Sequence, residues 1–200
     1  MTRKPIFDTF RRILGHGFKQ SEVEQIDSAL GCAAKKQDAC PRLKLASQMT
    51  AGTQALELIK RFEGCASLRA DGLVEAYPDP GTGGAPWTIG WGATGEDIGP
   101  ETVWTQAQCD ARLAQDVARH AKDLAAALGD IPTSQAQFDA LVSFHYNTGA
   151  IHRATLTAKH RQGDYAGVGE EFARWNKAGG RVLKGLIRRR QAEARVYAST

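Results

Sequence analysis

The 200-residue sequence predicts an α+β protein, mainly α, in which a small glycine-rich β-region and a helical lobe face each other across a cleft, preceded by a two-helix appendage. Three observations lead there. The convincing strand signals, at 73–77 and 87–91, overlap AYPDPGTGGAPWTIGWG (76–92), whose glycines supply positive φ and whose prolines restrict φ in tight turns. A helix ending at Glu63 and Gly64 feeds that region. Beyond Pro100 apolar residues recur with helical spacing.

Taken in order, Ile6, Phe7, Phe10, Ile13 and Leu14 form one apolar face of a helix over 5–14, stopped by Gly15 and Gly17. Ser21 and Glu24 make a capping box for a second helix carrying Val23, Ile26 and Leu30 and ended by Gly31. Residues 32–52 lack a period, carry Pro41 and read as a linker. TQALELIKRFEG then places Leu56, Ile59 and Phe62 inward. Later helices are expected over 105–128, after an N-cap at Ser134 with Phe138, Leu141, Val142 and Phe144 or His145 buried, and over 151–161, 165–175 and 182–197. The domain reading is therefore an N-terminal hairpin (1–31), a linker (32–52) and a catalytic domain (53–200).

Composition narrows the function classes. With 42% apolar and 24% charged residues the chain can bury one good core, which excludes disorder throughout. No apolar run approaches the roughly 20 residues that span a bilayer, and MTRKPIFDTFRRILG lacks the apolar centre of a signal peptide. The expectation is synthesis in the cytoplasm without stable membrane insertion. Cys32, Cys40, Cys65 and Cys109 show neither C-x-x-C spacing nor a matching His pair, so no zinc or other metal site is expected; free thiols are, with a Cys32–Cys40 disulfide left open should the protein work outside the cell. A net charge of +4 fits an anionic partner such as a bacterial wall or nucleic acid, or plain solubility, and no nucleic-acid motif accompanies it.

Glu63 closes a helix beside Ile59 and Phe62, where partial withdrawal from water resists ionisation and suits a general acid. Asp79 lies in a turn rich in backbone N–H groups, which favour the charged carboxylate. Thr88 can present its hydroxyl to a water held by Asp79. One protonated and one ionised carboxyl is the arrangement that glycosidic cleavage uses. Each residue alone also has a plain explanation: a helix-end carboxylate, a turn former before Pro80, a β-branched strand residue.

FEG (62–64), AYPD (76–79) and WTIGWGAT (87–94), continued by FDALVSFHYNTGA, RATL and FARWNKAGGRVLKGLIRRRQAE, resemble phage-type lysozymes, the endolysins of glycoside hydrolase family 24, over about 53–198. The resemblance implies a lysozyme-like fold and hydrolysis of the β-1,4 bond between N-acetylmuramic acid and N-acetylglucosamine in peptidoglycan, with inversion and no cofactor. It makes Glu63 the general acid, Asp79 the carboxylate that orients or deprotonates water, and Thr88 its helper. Arg181 falls where the family carries an arginine paired with the catalytic glutamate, or is a solvated helix-start arginine. His145 and Asn147 share a helix end near the cleft, His145 reading better as a satisfied core histidine, and Trp175 either stacks on sugar or packs the lobes. Of Arg188, Arg189 and Arg190, at least one is expected to pair internally. The connection from Glu63 to Asp79 is longer than the family pattern and adds Asp71 and Glu75 as competitors for the Asp79 role. The implied protein is a monomer, waiting in the host cytoplasm for a holin to open the way to the wall. The alternatives are a lytic transglycosylase using Glu63 alone and a non-catalytic peptidoglycan-binding protein.

Overall fold

The helical periods become six helices among the described residues of a computed structural model, which cover 42–65, 69–79 and 82–199. The helices expected at 5–14 and after Ser21, the linker up to Pro41, and Cys32 and Cys40 lie outside the described residues. Helix α1 is Thr53–Glu63, α2 Gln106–Leu128, α3 Gln135–Thr148, α4 Thr155–Arg161, α5 Tyr165–Phe172 and α6 Lys184–Tyr197. Two of them start on capping boxes: Thr105 with Gln108 opens α2 and Ser134 with Gln137 opens α3. Each box satisfies N–H groups that a helix start otherwise leaves without partners.

Helix α3 is the axis of the larger lobe. Phe138, Ala140, Leu141, Val142 and Phe144 are fully buried, because α1, α2 and α6 pack around it. Burial on all sides removes any need for a polar face. The phenyl ring of Phe144 meets Phe172 and the half-buried Trp175 edge-on, at centroid distances of 5.8 and 5.1 Å. These residues, with Ile59, Leu113, Leu124, Ile151 and Leu156, form the main core.

A second, smaller core of Val74, Ala76, Ile89, Ala93, Ile98 and Cys109 lies under the β-region. There β2 (Leu73–Glu75) pairs antiparallel with β6 (Val103–Thr105), while β3 (Tyr77–Pro78), β4 (Trp87–Ile89) and β5 (Ala93–Thr94) form a three-stranded meander with Tyr77 opposite Thr88. Gly90 lets this meander touch α2: its φ is +62°, and a Cβ there would fall 2.8 Å from Cys109 Sγ. Trp91 packs against both cores, donates from Nε1 to Asp110 Oδ1 at 2.6 Å and lies under Lys60 Nζ, 5.1 Å from its ring centre.

The structure departs from the sequence reading in four places. Residues 42–52 are part of the helical lobe rather than a linker: β1 (Lys44–Leu45) pairs with β7 (Pro132–Thr133), and Ala46 and Met49 enter the main core. Strand β6 lies beyond Pro100, where only helix was expected. Helix α4 begins at Thr155, because a turn closed by Ala154 N–H on the Ala150 carbonyl at 2.9 Å occupies 150–154. A hairpin of β8 (Lys177–Ala178) and β9 (Arg181–Val182) precedes α6, with Gly179 and Gly180 both at positive φ, and α5 accordingly ends at Phe172.

Candidate active site

Glu63 is the last residue of α1, with Gly64 as its C-cap at φ +68°. It lines a cleft of about 490 Å³ together with Arg61, Asn147, Leu186, Arg188 and Arg189. Its side chain keeps 25% of its surface exposed, and Oε1 accepts a hydrogen bond from Arg189 Nη1 at 2.6 Å. Its other oxygen, Oε2, faces Gly92, whose hypothetical Cβ would lie 3.7 Å away. Gly92, with φ +91°, thus brings the backbone of the β-region beside this oxygen in a left-handed conformation that favours glycine.

Arg189 belongs to a buried network. Its Nε donates to Glu193 Oε1 at 3.1 Å and its Nη2 to the Ser143 carbonyl at 3.3 Å. Ser143 Oγ and Arg190 Nη2 also donate to Glu193 Oε1, at 2.8 and 3.2 Å, and Arg190 Nη2 reaches Asn147 Oδ1 at 2.8 Å. Burial pulls the Arg190 guanidinium down to about 10, against the pull of Glu193. The Glu193 carboxyl is raised by burial, with both guanidiniums and Ser143 opposing.

Two tyrosines lie within electrostatic reach of Glu63. Tyr146 is pushed up to about 12 by burial first and by Glu63 second, while its hydroxyl donates to the Trp91 carbonyl at 3.3 Å. Tyr77 is raised by the same two causes in the same order. Directly paired strand residues point to one face, so Thr88, opposite Tyr77, shares the face that senses Glu63. Asp79 follows β3 in the turn leading to β4; its N–H donates to the Gly84 carbonyl at 3.0 Å, and its Oδ1 accepts from Thr82 N–H at 3.0 Å. Asp71 and Glu75 are exposed beside Arg69, at 3.0 and 3.8 Å.

The structure sorts the supporting residues. The cation on Glu63 is Arg189, not the expected Arg181: Arg181 is exposed in β9, whereas position 189 is carried by α6 into the lobe interior. Of the three consecutive arginines, Arg188 is exposed in the cleft, and Arg189 and Arg190 are buried and paired. Asn147 lines the cleft and braces Arg190. His145 is buried against His120 at a centroid distance of 4.9 Å, its nearest carboxylate oxygen, on Asp123, being 3.6 Å away. Burial, first, and then His120 push it below the usual histidine range. Trp175 packs on Phe144 and borders a separate groove with Thr155 and Lys177. The sequence reading passed over Glu193, although its spacing from Arg189 is the i, i+4 signal of a helical ion pair.

A mainly helical lobe joined to a small β-meander, with a carboxyl held at the seam, defines the lysozyme-like class of folds. The phage lysozyme family profile matches residues 60–193, and the chain belongs to that family. It is 38% identical over 146 residues to the endolysin of Bacillus phage PZA, a match covering 72% of this chain and 53% of that one. It is also 38% identical over 152 residues to the endolysin of Acyrthosiphon pisum secondary endosymbiont phage 1, covering 73% and 96%. The chain spans about half the length of the PZA endolysin and 60% of that of Lactococcus phage c2. Among solved structures, the endolysin from Escherichia coli O157:H7 phage FAHEc1 superposes with a TM-score of 0.63 at 32% identity, covering 76% of this chain and 94% of that one. The muramidase domain of SpmX from Asticaccaulis excentricus gives 0.64 at 27% identity, covering 76% and 99%.

Proposed function

We propose that this protein is an endolysin that hydrolyses the β-1,4 bond between N-acetylmuramic acid and N-acetylglucosamine in bacterial peptidoglycan. The observation that carries the reading is the posture of Glu63, with one oxygen clamped by Arg189 and the other beside Gly92 of the β-meander that bears Asp79 and Thr88. Glu63 delivers its proton from Oε2 to the departing glycosidic oxygen. Asp79 orients and deprotonates a water that Thr88 helps to hold, and attack from the far side of the sugar inverts the anomeric carbon. The chemistry uses these side chains alone, without a cofactor.

Delivery belongs to the same reading. The protein is made in the host cytoplasm, acts as a monomer and reaches the wall once a holin has opened the membrane. No helix among the described residues is long and apolar enough to cross a membrane.

Turbidity clearing and muropeptide mass spectrometry on purified sacculi test the proposal. Glu63→Gln lowers the rate by about 10³-fold, within the usual range for a lost general acid, and Asp79→Asn lowers it as well. Undiminished clearing by Glu63→Gln would end the reading. Products with 1,6-anhydro ends, together with an active Asp79→Asn, would make the protein a lytic transglycosylase; binding to sacculi without release of reducing ends would make it a binding module.

A further inference from the structure

We infer that Glu193, buried in the helical lobe, is a positioning residue that acts on Glu63 through Arg189 by balancing the charge of the Arg189–Arg190 pair. The inference rests on the reading of Glu63 as the general acid.

Glu193 has no exposed surface, and its Oε1 gathers three donors from two helices, whereas Glu63 receives one guanidinium nitrogen. Arg189 is stretched between the two carboxylates, Nε on Glu193 and Nη1 on Glu63. Arg190 contributes a second positive charge, its Nε lying 3.0 Å from Glu193 Oε2. Together the four groups join two guanidiniums and two carboxyls, Arg189, Arg190 and Glu193 buried and Glu63 at the cleft. Buried ion pairs are poor stabilisers compared with apolar packing of the same volume, so stability alone gives little reason for such a quartet beside a cleft. Its geometry does supply a reason. With Glu193 in place, Arg189 is shared and its direction is set at both ends; without Glu193, two guanidinium charges face one remaining carboxylate, Glu63.

The surroundings leave few other charges to compensate. Glu63 is paired with Arg189 from α6, shares its cleft with Arg188 from α6 and Arg61 from its own helix, and interacts electrostatically with Arg190 from α6, Tyr146 from α3 and Tyr77 from β3. Glu193 is faced by Ser143 from α3 and by Arg189 and Arg190 from α6. A surplus of positive charge around a carboxyl favours its ionised form, and a surplus of negative charge its protonated form.

The test is the pH profile of kcat/KM on sacculi, with thermal denaturation run in parallel to confirm folding. Glu193→Gln moves the alkaline limb down by about one pH unit, and Arg190→Gln moves it up by about as much. The double variant Arg190→Gln/Glu193→Gln returns the limb toward its original place, since it restores neutrality around Glu63. Either single variant that folds reads the sign on its own. Unmoved limbs, shifts of one sign in both variants, or a uniform loss at every pH would overturn the inference and leave the function standing. Absence of wild-type turnover at any pH would instead overturn both.

Discussion

The helical lobe and the β-lobe are held together by different means. In the former, large apolar side chains from six helices interlock around α3, and burial of that area dominates. In the latter a handful of mostly small apolar residues, two of them alanines, sit under strands of two or three residues. What keeps the β-lobe in place is contact with α2: Gly90 against Cys109, the Trp91 indole on Asp110, and Arg112 reaching the Thr94 carbonyl and Asp97, each at 3.0 Å. The difference teaches where each property resides. Bulk stability is concentrated in the lobe that carries Arg189 and its carboxylate partners, whereas the β-lobe, which carries Asp79 and Thr88, depends for its placement on a few contacts with α2.

The comparison is broken most severely from the helical side. Phe144→Ala leaves a cavity bordered by Phe172, Trp175 and Arg190, and costs about 3–5 kcal/mol, read as a fall in thermal midpoint. A slightly smaller loss needs no mutation. His160 is fully buried between Thr133 Oγ1 at 3.0 Å and the Tyr197 hydroxyl at 2.6 Å, and burial lowers it to about 4. Above pH ~6.5 the ring is neutral in both states. As pH falls from there to about 4 the unfolded chain binds a proton that the folded one refuses, so stability drops across that window by about 3 kcal/mol. Denaturation at a series of pH values checks this, and His160→Gln flattens the curve.

Gly90→Ala probes the β-lobe. Its methyl would meet Cys109 Sγ at 2.8 Å in a left-handed backbone, a cost of about 1–3 kcal/mol. Catalytic rate falls further than thermal stability does, and adding Cys109→Ala recovers part of both. An equal loss in rate and stability would erase the distinction between the lobes. The smallest effect is Ser134→Ala, which removes the α3 cap for about 1 kcal/mol and leaves the pH profile alone.

Much of this was legible in the residues. The start of α2 is written in Thr105 and Gln108, and its end in Gly129; the order of Glu63, Asp79 and Thr88 carries the resemblance that directs attention to the cleft. Other elements were hidden for physical reasons. A pair of two-residue strands such as β1 and β7 has no period to detect, and the pairing depends on a contact across the fold. The hairpin at 177–182 did leave a signal, the Gly179–Gly180 pair at its turn, which the helical pattern on either side masked. Choosing Arg189 over Arg181 requires the rotation of α6 about its axis, and that is set by α1 and α3 rather than by spacing along the chain.

The bond between Arg189 and Glu63 joins residues 126 positions apart, the first described helix to the last. During synthesis Glu63 leaves the ribosome long before Arg189. A nascent chain halted anywhere before α6 carries Glu63 at a helix end with neither Arg189 nor the Glu193 brace behind it. The order of translation thus makes α6 the step that completes the Glu63–Arg189 pair.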